Sequence, residues 1–427
     1  MQKYWLLVFG CAMNYADAER LTRVLTELKI SPAQNLAEAD LVFLVSCSVR
    51  QKADDRIFGL LKNLTTWQKQ KTGRKIFLTG CLVRPQNRQS LSQKFPQLTA
   101  VFPMTEVLTL PQILRSSQTP VLPPHYLQIT PLRKNQFSAL IPIATGCNNF
   151  CTYCIVPFAR GREISRPQTA ILAECRAALL SGAQELFLLG QNVNSYGSTA
   201  GDFATLLQAV CRLKGVQRVR FLSSHPRDFG PDLITVLQRE PKIERHLHLP
   251  AQHGSNKILA AMCRGYTAET YCQKVQQLRQ ALPEISLTSD FIVGFPGETA
   301  ADFQQLCEFY ETVAFDFAYL ACYSPRPGTP AAQLPQQVPE AVKRARYQKL
   351  NAILTKITAR QLQKRRQQTL QVLVEKQTAQ EASGRSSENF LVKFLTAKNL
   401  IGQIVPVLIT ETREFELKGK LALDLKM

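Results

Sequence analysis

Three cysteines, Cys147, Cys151 and Cys154, fall within eight residues of the stretch GCNNFCTYCIVPFARGREISRP (146–167), and no fourth follows nearby. A four-iron, four-sulfur cluster takes one thiolate per iron, so three thiolates leave one iron open. An open iron can bind a substrate as a Lewis acid and also pass it an electron, which redox-inert zinc cannot. The gaps, three residues and then two, also differ from a zinc-finger pairing. A second set is dispersed: Cys11, Cys47 and Cys81 stand 36 and 34 residues apart, each at the end of an apolar run. The other six cysteines, Cys175, Cys211, Cys263, Cys272, Cys307 and Cys322, show no ligand spacing and are expected in the core. His225, His246, His248 and His253 sit beside apolar runs and are read as packing or substrate-bonding groups rather than zinc ligands.

The elements that must position these cysteines follow from hydrophobic pattern. YWLLVFGC, DLVFLVSC and KIFLTGC are buried-strand runs, and the first is followed by the helical phrase DAERLTRVLTELKI. Residues 1–115 therefore read as βαβ units around a parallel sheet, whose strands all point one way and deliver Cys11, Cys47 and Cys81 to one edge. There each cysteine is expected near the start of the next helix, where the positive dipole end favours thiolate. Residues 116–137 carry four prolines and no sustained period, as a linker would.

Six further runs, ALIPIATGC, ELFLLGQN, RVRFLSS, RHLHLPAQ, ISLTSDFIVGF and FAYLACYSP, alternate with helical patterns across residues 138–366. That predicts a partial (β/α)6 barrel with its active edge after the strand C-termini. The stretch ends in a helix from Pro339 to about Arg366, with Leu350, Ile353, Leu354 and Ile357 on one stripe. Nine Lys or Arg residues lie between Lys343 and Arg366, either as a solvated face or as an RNA contact. Residues 367–427 alternate like the strands of a small β barrel.

Composition bounds the partners. The 427 residues carry 52 Lys and Arg against 32 Asp and Glu, a formal charge of +20, which favours a polyanion such as nucleic acid. No apolar run approaches the ~20 residues of a membrane helix. The opening MQKYWLLVFGCAM loosely resembles a lipoprotein signal, but its apolar stretch, Tyr4 to Phe9, is shorter than the ~7–15 residues one needs. Cysteines in metal-ligand rather than disulfide spacing point to the cytoplasm.

The Cys147–Cys151–Cys154 pattern, with aromatic Tyr153 before the last ligand, resembles the radical S-adenosylmethionine (SAM) enzymes. The resemblance implies that the open iron chelates SAM and that reduction cleaves it to methionine and a 5'-deoxyadenosyl radical. The early trio, in FGCAMN and VSCSVR, resembles the methylthiotransferase family, which carries a second cluster on three such cysteines. Ser46 and Ser48 depart from the family's usual Asn-Thr-Cys form and leave the sulfur ligand untouched. The last segment resembles the TRAM RNA-binding domain.

Within the family, TGCNNFCTYCIVPFARGREISRP, LLGQNVNSYG, SSHPRDF, LHLPAQHGSNKILAAMCRGYT and DFIVGFPGET look most like the bacterial branch that makes 2-methylthio-N6-isopentenyladenosine beside the tRNA anticodon. His253 departs from the commoner serine of QSGS. The resemblance implies two 4Fe-4S clusters and SAM, with cluster ligands Cys11, Cys47, Cys81, Cys147, Cys151 and Cys154. It also implies tRNA as partner, an electron donor such as flavodoxin or ferredoxin, a sulfur source, and a monomer.

Tyr153, Gln191, Asn192, Ser289 and Asp290 are the candidate cofactor-binding residues, the last four being equally readable as turn or strand caps. Gly294 to Thr299 resembles a segment that approaches SAM. Arg160, Arg162 and Arg166 either face an oxyanion, in SAM or RNA, or line a solvated loop. Competing functions are methylthiolation of threonylcarbamoyl-adenosine tRNA or of a ribosomal protein, and a nonenzymatic iron-sulfur RNA-binding or electron-transfer protein.

Overall fold

A computed structural model describes residues 2–48, 51–115, 122–133, 137–197 and 201–422. Residues 116–121 and 134–136 of the expected linker, and Val49 and Arg50 of VSCSVR, lie outside the described residues.

The first module is a five-stranded parallel sheet: β1 (Lys3–Val8), β2 (Ser31–Pro32), β3 (Leu41–Ser46), β4 (Lys75–Gly80) and β5 (Ala100–Val101), in the order β2-β1-β3-β4-β5. Every residue of β3 is buried, which is why its run LVFLVS shows no polar alternation. Leu41, Phe43 and Val45 join the cluster of helix α1 (Ala12–Glu27), while Val42 and Leu44 join Ile57, Leu61 and Leu64 of helix α2 (Gln51–Lys69). Each such fully buried side chain contributes about 1.5–3 kcal/mol. The α1 cluster also takes in Leu140, Phe187 and Leu189, so this helix is shared with the next module.

That module contains β6 (Ser138–Pro142), the short antiparallel pair β7 (Ala144–Thr145) and β8 (Ile164–Ser165), then β9 (Glu185–Leu189), β10 (Arg218–Phe221), β11 (His246–His248), β12 (Ser286–Val293) and β13 (Phe317–Cys322). Parallel sheets β10-β9-β6 and β11-β12-β13 are joined by a bridge between Val219 and Ile243, giving the curved six-stranded array expected of a partial barrel. ALIPIATGC departs from its reading as one strand. It breaks after Pro142, and Cys147 follows the hairpin strand β7, whose partner β8 folds the cysteine loop back on itself.

The long helix Glu340–Gln363 packs Leu350, Leu354 and Ile357 into the barrel core. Its basic residues divide: Lys343 is buried against Tyr323, Arg346 pairs with Glu298 and Arg365 with Glu284, whereas Arg344, Lys349, Lys356, Arg360, Lys364 and Arg366 are exposed.

The last module is a closed barrel of β14 (Thr369–Gln377), β15 (Glu381–Ser386), β16 (Leu391–Leu395), β17 (Ile404–Thr412) and β18 (Leu417–Leu421), in the order β14-β15-β16-β18-β17. It docks on the N-terminal ends of the central strands. Arg218 donates to the carbonyls of Arg385 and Gln371 (3.1 and 2.6 Å), and Arg220 donates to Asn389. Glu185 and Glu244 neutralise this buried arginine pair at 3.1–3.2 Å. Among the described residues no helix is long and apolar enough to cross a membrane.

Candidate active site

Cys11, Cys47 and Cys81 follow three adjacent parallel strands, β1, β3 and β4, and so reach one edge of the sheet. Gly10 and Gly80, both at positive φ (113° and 95°), make the turns. A Cβ on Gly80 would stand 2.4 Å from the Ser46 carbonyl oxygen, so only glycine lets β4 release its cysteine beside β3. Cys81 N–H then donates to that same oxygen (2.9 Å). Asn14, fully buried in the first turn of α1, laces the edge together. Its Nδ2 donates to Phe9 O (2.7 Å) and Ser46 O (2.9 Å), and its Oδ1 stands 3.7 Å from Cys81 Sγ. Ser46 spends its hydroxyl on Thr79 O (2.5 Å), a tie between β3 and β4 behind the sulfurs.

The helix-dipole expectation holds for one cysteine of the two whose following segment is fully described. Cys11 is the N-cap of α1, but Cys81 is followed by a 3-10 turn and a helix that starts only at Arg88. Cys81 has a guanidinium instead. Arg160, in the short helix after Cys154, donates Nε to Cys81 Sγ (3.3 Å) and Nη2 to Asn14 Oδ1 (2.9 Å) and Asp17 Oδ2 (2.7 Å). Burial pushes the Cys81 thiol up, and the Arg160 charge partly offsets that.

Cys147, Cys151 and Cys154 lie on a loop closed at its neck, where Cys147 N–H donates to Gly161 O (3.2 Å). Gly146 (φ 79°) permits this, because a Cβ there would meet Arg162 O at 2.1 Å. Cys154 N–H donates to Cys151 O (2.9 Å). Burial raises the Cys147 thiol and brings Cys154 to about 12, so protons must be displaced when a metal group binds. Buried Arg264 donates Nη1 to Cys151 Sγ (3.4 Å). Tyr153 packs its ring with Ile258, Met262, Phe295 and Tyr323, behind the third cysteine.

The remaining candidates divide by what already engages them. Asn192, after β9, donates Nδ2 to Asp228 (2.7 Å) but leaves Oδ1 buried and unpartnered, as are Gln191 Oε1, Ser224 Oγ and His225 Nε2. Those four atoms stand at the C-terminal ends of neighbouring strands β9 and β10. His225 accepts Arg227 N–H at Nδ1 (3.2 Å), so its Nε2 carries the proton. Burial, reinforced by Arg264, Arg227 and Lys274, lowers its pKa to about 2, keeping the ring neutral. The Ser289 hydroxyl oxygen instead accepts Ala251 N–H (2.9 Å). Asp290 faces His248 Nε2 at 3.1 Å, at the end of a polar chain running through Thr288 to His246.

Several expectations change. Arg166 is no oxyanion reader: it donates to Pro142 O (2.6 Å) and pairs with Glu174 (2.8 Å), which also holds Arg20 and Arg133. Arg162 stacks over Phe150, its guanidinium 4.3 Å from the ring centroid. In the GFPGET run Glu298 is buried between His253 (3.1 Å) and Arg346 (2.6 Å). Cys175, Cys211 and Cys307 are buried and Cys272 and Cys322 half-buried, but Cys263 is exposed. The sequence reading missed Asn14, Asp17 and Arg264. It also passed over a visible signal, the Gly-Cys pair repeated at 10–11, 80–81 and 146–147.

Among the described residues no three His, Cys, Asp or Glu side chains close on a single ion. Each cysteine set must therefore be judged against a larger group that gives each thiolate its own iron. The donor chemistry fits it: three thiols on one edge or loop, a guanidinium on one sulfur of each set, and unpartnered polar atoms at the adjoining strand ends.

Residues 3–103 match the Uncharacterized protein family UPF0004, residues 141–310 the Radical SAM superfamily, and residues 363–422 the TRAM domain. The chain is 39% identical to the tRNA-2-methylthio-N(6)-dimethylallyladenosine synthase of Albidiferax ferrireducens over 98% of its own length and 97% of that protein's. It is likewise 39% identical to the protein of that name from Dictyoglomus thermophilum, over 98% of each. In fold it is similar to the radical S-adenosylmethionine methyltransferase TsrM from Kitasatospora setae, with a TM-score of 0.53 at 14% identity, covering 78% of this chain and 77% of that one. Its three modules and its full-length likeness to those synthases place it plainly: this chain belongs to the radical SAM methylthiotransferase family.

Proposed function

We propose that the chain is a tRNA methylthiotransferase that converts N6-isopentenyladenosine beside the anticodon, the dimethylallyladenosine of its relatives' names, to its 2-methylthio derivative. One observation carries the reading. Arg160, six residues after Cys154, bonds the sulfur of Cys81, so the two cysteine sets face each other across a single side chain. When bound, two 4Fe-4S clusters and SAM supply one-electron SAM cleavage, hydrogen abstraction from carbon and a methylated sulfur for transfer.

In this reading Cys147, Cys151 and Cys154 hold the cluster that meets SAM, and Cys11, Cys47 and Cys81 hold the second. Tyr153 wedges the loop in place. Gln191, Asn192 and His225 offer SAM or the adenine two acceptors and one donor that the fold leaves unpaired, and Asp290 offers a further carboxylate. Ser289 acts behind them, through Ala251. Such a chamber suits an aromatic C–H that no general base removes, because its groups orient rather than deprotonate.

Residues 1–115 form the sulfur-handling module, 138–366 the radical module and 367–427 the RNA-docking module, with 116–137 as connector. Support for tRNA comes from the relatives' names, the TRAM match and the exposed basic residues of the long helix. The reaction also calls for a low-potential donor of flavodoxin or ferredoxin type and a sulfur source. A monomer in the cytoplasm is sufficient for it.

The test is anaerobic reconstitution with SAM and reductant, followed by mass analysis of nucleosides from isopentenylated tRNA. A methylthio product is expected, and its absence, or its appearance only with threonylcarbamoyl-adenosine tRNA, rejects the substrate. Cys47→Ala should abolish sulfur insertion while sparing SAM cleavage; loss of cleavage instead contradicts the division of labour.

A further inference from the structure

Each cysteine set has one buried guanidinium on one of its sulfurs, but the two guanidiniums differ in what balances them. Arg160 holds Cys81 Sγ at 3.3 Å and is neutralised by Asp17 at 2.7 Å. Arg264 holds Cys151 Sγ at 3.4 Å, and its other donors go to neutral oxygens, Pro250 O (2.7 Å) and the Tyr266 hydroxyl (3.1 Å). Among the described residues no carboxylate stands within ion-pair distance of Arg264. Both arginines are nearly sealed from solvent, at 9% and 4% exposure, so water screens neither. The guanidinium on the Cys151 sulfur therefore has no carboxylate partner of its own, although Glu163 acts on Cys147 from another side, whereas the guanidinium on the Cys81 sulfur is half of an ion pair.

Reduction adds one negative charge to an iron-sulfur group. Hydrogen bonds to its sulfurs and nearby positive charge both favour that state. We propose that Arg264 and the Arg160–Asp17 pair act as positioning residues that set unequal reduction potentials. On this reading, a single electron from a low-potential one-electron donor goes to the cluster on Cys147, Cys151 and Cys154 and not to the one on Cys11, Cys47 and Cys81. No bond is made or broken in that step: the donor loses one electron and the favoured site gains it. Arg264 thereby assigns the electron to the side where SAM is cleaved, and Asp17 weakens the equivalent attraction of Arg160 on the sulfur-donating side. The inference rests on the two-cluster reading above and goes further, to how the chain tells the two clusters apart.

The experiment is a potential-poised EPR titration of the reconstituted full-length protein without SAM. Cys47→Ala and Cys151→Ala variants assign each signal to its cluster, and iron and sulfide per chain are measured first. In the wild type the Cys151-linked cluster should reduce at the higher potential. Arg264→Gln should make its reduction at least tenfold less favourable, about 59 mV for one electron, and leave the other cluster unmoved. Arg264→Lys, which keeps the charge, should restore part of the shift.

Asp17→Asn touches no sulfur and unmasks Arg160, so it should raise the potential of the Cys81-linked cluster. It carries the test alone if Arg264→Gln loads poorly. Loaded clusters whose potentials stay unchanged in Arg264→Gln or in Asp17→Asn, or that shift together, overturn the inference. A wild-type chain that takes up no iron and sulfide overturns instead the function it rests on.

Discussion

Gly80→Ala is the sharpest perturbation of the sheet edge. A methyl group there would lie 2.4 Å from Ser46 O and 2.6 Å from Ser46 N, both backbone atoms that cannot rotate away. Reaching ordinary contact requires β3 and β4 to part by roughly 1 Å just where Cys47 and Cys81 leave them. The positive φ adds a cost of about 1–2 kcal/mol and the overpacking about 1–3 kcal/mol, so the first module should lose about 2–5 kcal/mol. For a module of this size that lowers the melting temperature by roughly 10 °C or more.

A ligand set that has spread by that much should also bind poorly. Reconstituted Gly80→Ala should hold about half the wild-type iron, because Cys147, Cys151 and Cys154 are undisturbed. Gly59→Ala is the control. It sits within α2 with nothing inside 4 Å of its missing Cβ, and should be neutral or stabilising by up to ~1 kcal/mol. Iron and acid-labile sulfide per chain, with circular-dichroism melts of the apo forms, decide the matter. Full loading and an unchanged melt in Gly80→Ala would refute the account of the edge.

Two more outcomes follow. Asp54→Asn should cost up to about 3–5 kcal/mol, because it removes the carboxylate charge that buried Arg326 holds at 2.6 Å. Faster proteolysis between the first two modules reads it out, and pairing Asp54→Leu with Arg326→Met should recover most of the loss. Burial lowers the pKa of both His225 and His246, so the unfolded chain takes up protons below its ordinary ~6.5 that the folded chain refuses. The stability they give is full above pH ~6.5 and falls as pH drops below it, by about 1.4 kcal/mol per pH unit for each histidine. Denaturant melts of His246→Gln should show that much less slope between pH 6.5 and 5; a slope equal to the wild type's would contradict it.

The cysteine pattern and the six central runs were legible because both are local: ligand spacing lies within one loop, and a strand buried on both faces shows as an unbroken apolar run. Arg264 was not, since the sulfur it holds lies 113 residues away in sequence. Nor was Asn14, whose lacing of Phe9, Ser46 and Cys81 exists only once three strands lie side by side. Arg160 and Arg166 sit six residues apart in one basic phrase, yet one meets a sulfur and the other a glutamate. Their charge was readable and their counter-charge was not, because Asp17 and Glu174 arrive from other elements. The break after Pro142 escaped notice because ALIPIATGC is apolar on both sides of it.

The grip of the small barrel on Arg218 and Arg220 has a geometric corollary. Arg218 opens strand β10 beside Glu185, the first residue of β9, while Gln191, Ser224 and His225 leave the far ends of the same two strands. Two rods of four or five residues, at about 3.3 Å per residue, thus set the separation between the barrel, to which the proposed function assigns RNA docking, and the strand ends to which it assigns the reaction. Lengthening β10 by a residue pair would move that gauge without touching either end, and so shift which nucleotide comes within reach.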